Sequence, residues 1–367
     1  MKKYINSIEE SLSRLFQSIL NSVGDKGDYL YVFRIILGFS LLTFYTYSWQ
    51  WIGEVPQGFF WPPILSIASF FDGFPSKHIF FTADVLFAIL SLLITIGFYT
   101  RESLFLLASL GIFCSSFSFS LGKIDHEILF WLTLYCLSFT NIGNKYVLRK
   151  DKEVSKNIES GALAFLAISI CFAFFSAGFQ KAIHWIDFDL ATSGFLSWFY
   201  PGYFSQGRNL LFADLVFEIP IWVLELGDYT AAIFEITGII FLLWGNLAWR
   251  SYLIVACIFH TLNLCFLNIS FSGHIFVYMI FLIDFKSIYS FPTRIGKKLF
   301  YLISVSLFIL QLLKILGVAF SNSPFVSLDS YRILNLYGYL FLWLSLLGSG
   351  VFFLVQDLRT YKRVKLE

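Results

Sequence analysis

The sequence predicts an all-α protein: a polytopic integral membrane helical bundle of about ten spans, with both termini cytoplasmic. Three observations carry this. Hydrophobic residues make up 57% of the 367 residues and charged ones only 14%, against about a quarter charged in a typical soluble domain. Apolar stretches recur at lengths of roughly 20 residues, enough to cross about 30 Å of hydrocarbon as helix. The basic residues are distributed unevenly between the two sides that an alternating path creates.

Along the chain, residues 1–28 interleave Lys2, Lys3, Glu9, Glu10 and Arg14 with Ile5, Ile8, Leu12, Leu15, Phe16, Ile19 and Leu20. This spacing predicts an amphipathic helix on the inner membrane surface; a solvated tail is the alternative. Spans are expected at 29–48, 79–99, 103–121, 126–142, 160–182, 228–246, 249–269, 272–285, 298–320 and 333–356. The domain organisation expected is an interfacial helix at 1–28, a membrane domain at 29–356 and a basic cytoplasmic tail at 357–367. Residues 50–78 hold four of the eight prolines and read as a cap or re-entrant segment. The stretch LLFADLVFEIPIWVLEL, made polar by Asp214, Glu218 and Glu225 and broken by Pro220, is assigned to the outer interface.

With the N-terminus inside, twenty of the 26 Lys and Arg fall on the cytoplasmic side, a strong positive-inside asymmetry. Both ends are basic, which favours an even number of spans. His78, His126, His184 and His274 then lie at or near the outer face with Lys181, and His260 lies inside its span. The groups suited to chemistry gather on the extracytoplasmic side.

Net charge is +2, which by itself says nothing about nucleic acid or acidic substrates; the partner expected is membrane lipid, and no nucleic acid. The five cysteines, Cys114, Cys136, Cys171, Cys257 and Cys265, all sit in apolar stretches without a CxxC, so neither disulfides nor a thiolate centre is expected. No HxxxH, HExxH, P-loop, GxSxG or GxGxxG occurs, and no metal is expected.

Ionisable residues inside spans are costly and are usually functional or tightly paired. Lys181, in FFSAGFQKAIHW, reads either as a lysine snorkelling from a helix end or as a partly buried base. Ser176-Ala177-Gly178 before it would let a ligand or helix approach closely. His126, between Asp125 and Glu127, reads as an interfacial histidine or as one tuned by its carboxylate neighbours. His260 and Asn263 share a helix face, with Glu235 of the adjoining hairpin their expected partner. Arg34 and Asp84 are expected to be structural. Aromatic residues form 20% of the chain; they line a flat, lipophilic pocket or simply pack helices.

The order of several segments resembles the HTTM (horizontally transferred transmembrane) domain family, which includes the membrane domain of vitamin K-dependent γ-carboxylase. These are YVFRIILGFS, GFYTR ending at Arg101, DHEILFW, AGFQKAIHW, FEITG followed by FHTLN, and SYRILNLYGYLF. The resemblance implies Lys181 as catalytic base and His126 as stabiliser of developing charge. It also implies a substrate or cofactor pocket that takes in His260, Asn263, Glu235, Trp185 and Asp125. The activity implied is oxidation of vitamin K hydroquinone or a related quinol by O2, driving proton abstraction, with CO2 capture in the carboxylase, on a secreted peptide or small substrate. The location implied is a bacterial-type cytoplasmic membrane. The chain departs from the family in the stretch AIHWIDFDLATSG and has no large extramembrane domain after its last span. A non-catalytic subunit for maturation or export of a secreted toxin peptide is therefore the second expectation. A transporter ranks last, because no repeat relates the two halves.

Overall fold

The computed structural model describes residues 2–25, 29–122, 126–288, 296–318 and 332–364. Their regular structure is helical, with no strand among the described residues beyond an isolated bridge between Trp61 and Leu121. The chain forms two compact units. The first comprises Met1–Asp25, Leu163–Ile283 and Ile333–Glu367; the second comprises Lys26–Ala162 and Asp284–Arg332.

In the order of the chain the helices are α1 (Lys2–Val23), α2 (Leu30–Thr43), α3 (Lys77–Ile96), α4 (Thr100–Ser118), α5 (Ile128–Leu137), α6 (Lys156–His184), α7 (Gly194–Tyr200), α8 (Ile221–Trp244), α9 (Asn246–Leu267), α10 (Ser272–Leu282), α11 (Phe285–Ile288), α12 (Lys297–Ile315) and α13 (Arg332–Val364). Six are long and apolar enough to cross a membrane: α3, α6, α8, α9, α12 and the Ile333–Thr360 part of α13. The helices α2, α5 and α10 are apolar but shorter. Local bonds explain their lengths. After α2, Trp49 N–H donates to Asp84 Oδ1 at 2.8 Å, with Ser48 and Gln50 side chains on Oδ2; the chain is drawn off the helix axis. After α5, the Ser138 and Thr140 hydroxyls return to the carbonyls of Tyr135 and Leu137. Asn268 and Phe271, both left-handed, separate α9 from α10. Residues 50–70 form three short 3-10 turns rather than a continuous helix.

The second unit is organised around Arg34, which is fully buried. Its Nη1 donates to the carbonyls of Ile94 (3.0 Å) and Thr95 (2.9 Å), and its Nη2 to those of Lys145 (3.3 Å) and Tyr146 (2.6 Å). The first two are carbonyls of the last turn of α3, where the helix runs out of i+4 donors; that of Ile94 also accepts the Gly97 N–H at 3.3 Å. Gly97 makes this possible: it turns out of α3 at φ 71°, and a Cβ there would lie 2.6 Å from Arg34 Nη1. Arg101 continues the lock, with Nε donating to Ser138 O at 2.7 Å and its backbone N–H to Asp151 Oδ2 at 3.0 Å.

In the first unit, α1 buries Ile19, Ser22 and Val23 and leaves Leu12, Leu15 and Phe16 exposed. Ser18 Oγ donates to Leu243 O at 2.6 Å, and Asn246 Nδ2 to Ser22 O at 2.8 Å. The end of this amphipathic helix is thus fastened to the α8–α9 turn, where the single residue Gly245 (φ 128°) reverses the chain. Below that turn Gly238 lets Tyr252 close in: a Cβ at 238 would lie 2.8 Å from the Tyr252 hydroxyl oxygen. The segment assigned from sequence to the interface divides at Pro220. Residues Ala213–Glu218 form a 3-10 turn, and Ile221–Leu226 begin α8, seven residues earlier than expected. Proline suits a helix entrance because its missing N–H has no partner there anyway.

Candidate functional site

The buried face of α8 carries Glu225, Asp228, Ala232, Glu235, Gly238 and Leu242, a 3–4 spacing that places three carboxyls on one stripe. Glu235 meets Lys181. At Gly178 the α6 and α8 backbones come close, since a Cβ there would stand 2.7 Å from Glu235 Cβ and 3.1 Å from Ile236 N. One turn further along α6, Lys181 Nζ lies 2.5 Å from Glu235 Oε1. The Lys181 side chain is 18% exposed and that of Glu235 3%. The second carboxylate oxygen, Glu235 Oε2, is buried with no hydrogen-bond partner, and so is the Tyr252 hydroxyl.

Two aromatic rings flank the ammonium, Trp185 at 5.3 Å and Phe259 at 5.2 Å from ring centre to Nζ, distances at which a cation is attracted to a ring face. Trp185 is held by the glycine facing it: a Cβ at Gly194 would fall 2.2 Å from Trp185 Cγ. A 24-residue helix such as α8 is about 36 Å long, so Glu235 lies roughly 21 Å from its start and about 14 Å from its end. The ion pair is therefore deep within the apolar length of α8. The chain leaves α6 at this level, and the connection back runs beside the first half of α8. Phe188 packs on Tyr229 at 6.1 Å, and Ser193 Oγ donates to Asp228 Oδ2 at 2.8 Å.

His260 sits in an adjacent aromatic nest. Its Nε2 is 2.9 Å from Tyr278 Oη, and its ring lies 5.2 Å from Trp343 and 5.1 Å from His274. Phe174 touches both groups of residues, with its ring 5.7 Å from that of Tyr252 and 5.8 Å from that of His260. The expected pairing of His260 and Asn263 with Glu235 is not what forms. Glu235 goes to Lys181, because the register set by Gly178 brings α6 rather than the far face of α9 onto it. Asn263 is half-buried, and its carbonyl accepts the N–H of Ile269.

Of the residues singled out from sequence, Lys181, Glu235, Trp185 and His260 thus gather in the first unit, with Asn263 one turn beyond. His126 belongs to the second unit, where it is exposed at the entrance to α5. Asp125 lies outside the described residues. Sequence reasoning missed Phe259, Tyr252, Tyr278 and Trp343. The one available signal was the small residue Gly238 facing α9 across a hairpin, which marks where a large polar ring can enter.

Replacing Gly178 by alanine tests the close approach directly. The new methyl has no room unless α6 and α8 separate, so Lys181 would lose its contact with Glu235. We expect Gly178→Ala to lower stability by about 1–3 kcal/mol, the usual cost of overpacking, read as a lower unfolding midpoint in detergent. Comparison with family models, curated proteins and solved structures gives no match for this chain.

Proposed function

We propose that this chain is a membrane enzyme that oxidises a quinol with O2, using Lys181 as base, to drive proton abstraction from a peptide or small substrate at the extracytoplasmic face. Capture of CO2 is the further step that the resemblance to vitamin K-dependent γ-carboxylase implies. The observation that carries the reading is the buried Lys181–Glu235 pair, 2.5 Å apart, between the rings of Trp185 and Phe259. The residues present suit such a ligand. Glu235 Oε2 lacks a donor, which a ring hydroxyl would supply, and the two aromatic faces suit a flat ring.

Bound there, a quinol would supply the electrons that O2 takes up. The chain supplies the proton handling. A proton moving from Lys181 Nζ to Glu235 Oε1 breaks one N–H bond, forms one O–H bond and leaves a neutral amine beside a neutral acid. Two opposite charges in an apolar interior are costly, so the neutral form is reachable there as it would not be in water. The free amine lone pair then accepts a proton from a hydroxyl held against it, and Glu235 keeps the first proton until the site reopens. Trp185, pinned on Gly194, keeps water from the amine, which protects strongly basic species. His126 is assigned the role of charge stabiliser on the motif DHEILFW alone.

The test is oxygen-dependent oxidation of vitamin K hydroquinone by the purified protein, beside Lys181→Ala and His126→Ala. Turnover by the wild type that both variants lose supports the reading. A folded wild-type protein that turns over none of several quinols would overturn it and favour a non-catalytic subunit for maturing or exporting a secreted peptide. One observation already favours that second reading: Lys181 is satisfied by Glu235 and ties α6 to α8 without any ligand.

A further inference from the structure

The stripe on α8 begins with a group that the Lys181 site does not use. Glu225, one turn into the helix, is 0% exposed, and neither of its carboxylate oxygens has a hydrogen-bond partner. The Tyr229 hydroxyl, one turn further on the same face, is buried and equally unpartnered. Tyr229 and Asp228 lie near enough to Glu225 to interact with it through their polar atoms, and the Phe188 backbone does so with Tyr229. None of these contacts has the geometry of an ordinary hydrogen bond to Glu225 or the Tyr229 hydroxyl. The charges of Asp228 and Asp187 also act on Glu225. Asp228 is itself 2% exposed and is occupied in part by Ser193 Oγ (2.8 Å) and Phe195 N (3.2 Å). The region is therefore acidic and without a cation of its own among the groups acting on Glu225.

We propose that Glu225, with Tyr229 and Asp228, forms a binding site for a primary ammonium group. Three acceptor atoms, two carboxylate oxygens and a phenol oxygen, have no donor in ordinary hydrogen-bond geometry, and an ammonium carries three N–H donors on a compact point charge. A metal ion is a poorer occupant, because no group of three or more His, Cys, Asp and Glu among the described residues can hold one. A buried acceptor left unfilled loses its hydration for nothing in return, and an ammonium restores both charge and hydrogen bonds.

The way in lies over the loop between α6 and α7. Phe188, at φ 62° and 85% exposed, lays its ring 6.1 Å from that of Tyr229. The turn beneath it is closed by Asp187, which accepts the Asp189 N–H (2.9 Å) and the Thr192 hydroxyl (2.9 Å). A left-handed aromatic residue at the crest of a short turn is a strained lid. It would lift to admit an amine and offer its own ring face to the cation.

The site is independent of quinol chemistry, so its test needs none. The full-length protein is placed in nanodiscs of phosphatidylglycerol alone, which contain no amine, and titrated with n-butylammonium or with tetramethylammonium at equal ionic strength. We expect a saturable rise in Tm with n-butylammonium and none with tetramethylammonium, which has no N–H to donate. Glu225→Gln should weaken the response about tenfold or more, as loss of a charged hydrogen-bond partner does. Tyr229→Phe keeps the ring and weakens it by a smaller factor, and it carries the test if Glu225→Gln does not fold. Adding phosphatidylethanolamine to the discs identifies the natural source. Competition with n-butylammonium assigns the site to a lipid head group, and no competition assigns it to a soluble amine. Equal responses to the two cations, or an unchanged response in both variants, would overturn the proposal.

Discussion

Lys181→Ala should lower quinol oxidation about 10²–10⁴-fold, the usual weight of a general base, and should also destabilise the first unit by about 3–5 kcal/mol. The second figure follows from what the substitution leaves behind: Glu235, with a side chain 3% exposed, would keep a buried carboxylate with no partner for either oxygen. Removing one half of a buried pair is costly in this way, whereas removing both is often close to neutral. Glu235→Gln on the Lys181→Ala background should therefore recover most of the lost stability while leaving activity absent. Unfolding of the four proteins of this double-mutant cycle in detergent, beside their oxygen uptake with vitamin K hydroquinone, separates the two roles. If the double variant is as unstable as Lys181→Ala, the pair does not tie α6 to α8 as described. If the single variant keeps its activity, Lys181 is not the base.

Arg34→Leu should be the most damaging change in the second unit. Its guanidinium answers four carbonyls at once, those of Ile94, Thr95, Lys145 and Tyr146, and a leucine would leave all four without this donor. Each hydrogen bond from a charged donor contributes about 1.5–3 kcal/mol; even with strong non-additivity the loss should exceed about 4 kcal/mol, enough to prevent accumulation of folded protein. Arg34→Lys should recover only a small part, since one ammonium cannot fork between two carbonyl pairs on different segments. The yield of folded protein by size exclusion, followed by the unfolding midpoint of whatever is obtained, measures both. Normal yield of Arg34→Leu would show that the α3 end and the 145–146 turn are held by other means.

These two sites differ in how far they could be read from residues alone. That Arg34 and Asp84 are structural was legible, because an isolated charge early in an apolar stretch demands company. Their partners were not. Both are satisfied mainly by backbone and uncharged groups, which have no signature in a sequence. Glu235 was legible as a buried ionisable group, Lys181 only as one of two alternatives, snorkelling or partly buried, and the small residues before Lys181 did mark a close approach. Their pairing was hidden because hairpin adjacency pointed Glu235 towards His260, and the register of α6 depends on Gly178 meeting Glu235 across 57 positions of chain. The all-helical class and the hydrophobic make-up of spans α3, α6, α8, α9, α12 and α13 followed from composition and run length. Helix ends did not, because hydroxyl return bonds in α5 and the Asp84 turn after α2 shorten runs that are continuous in hydropathy. The run LLFADLVFEIPIWVLEL was read as one segment, and the break at Pro220 that gives its second half to α8 was not foreseen.

The single-residue link at Gly245 bears on how the chain enters a bilayer. Alone, α8 carries an acidic load into the bilayer, since Glu225, Asp228 and Glu235 all lie on it and an acidic group as deep as Glu235 costs about 2.5–3.5 kcal/mol on insertion scales. With one residue between them, α8 and α9 should enter the bilayer as a hairpin, and the groups that answer the stripe, Lys181 for Glu235 and Ser193 and Phe195 for Asp228, lie on segments that precede α8 in the chain. The partners of these two carboxyls are thus already made when α8 emerges.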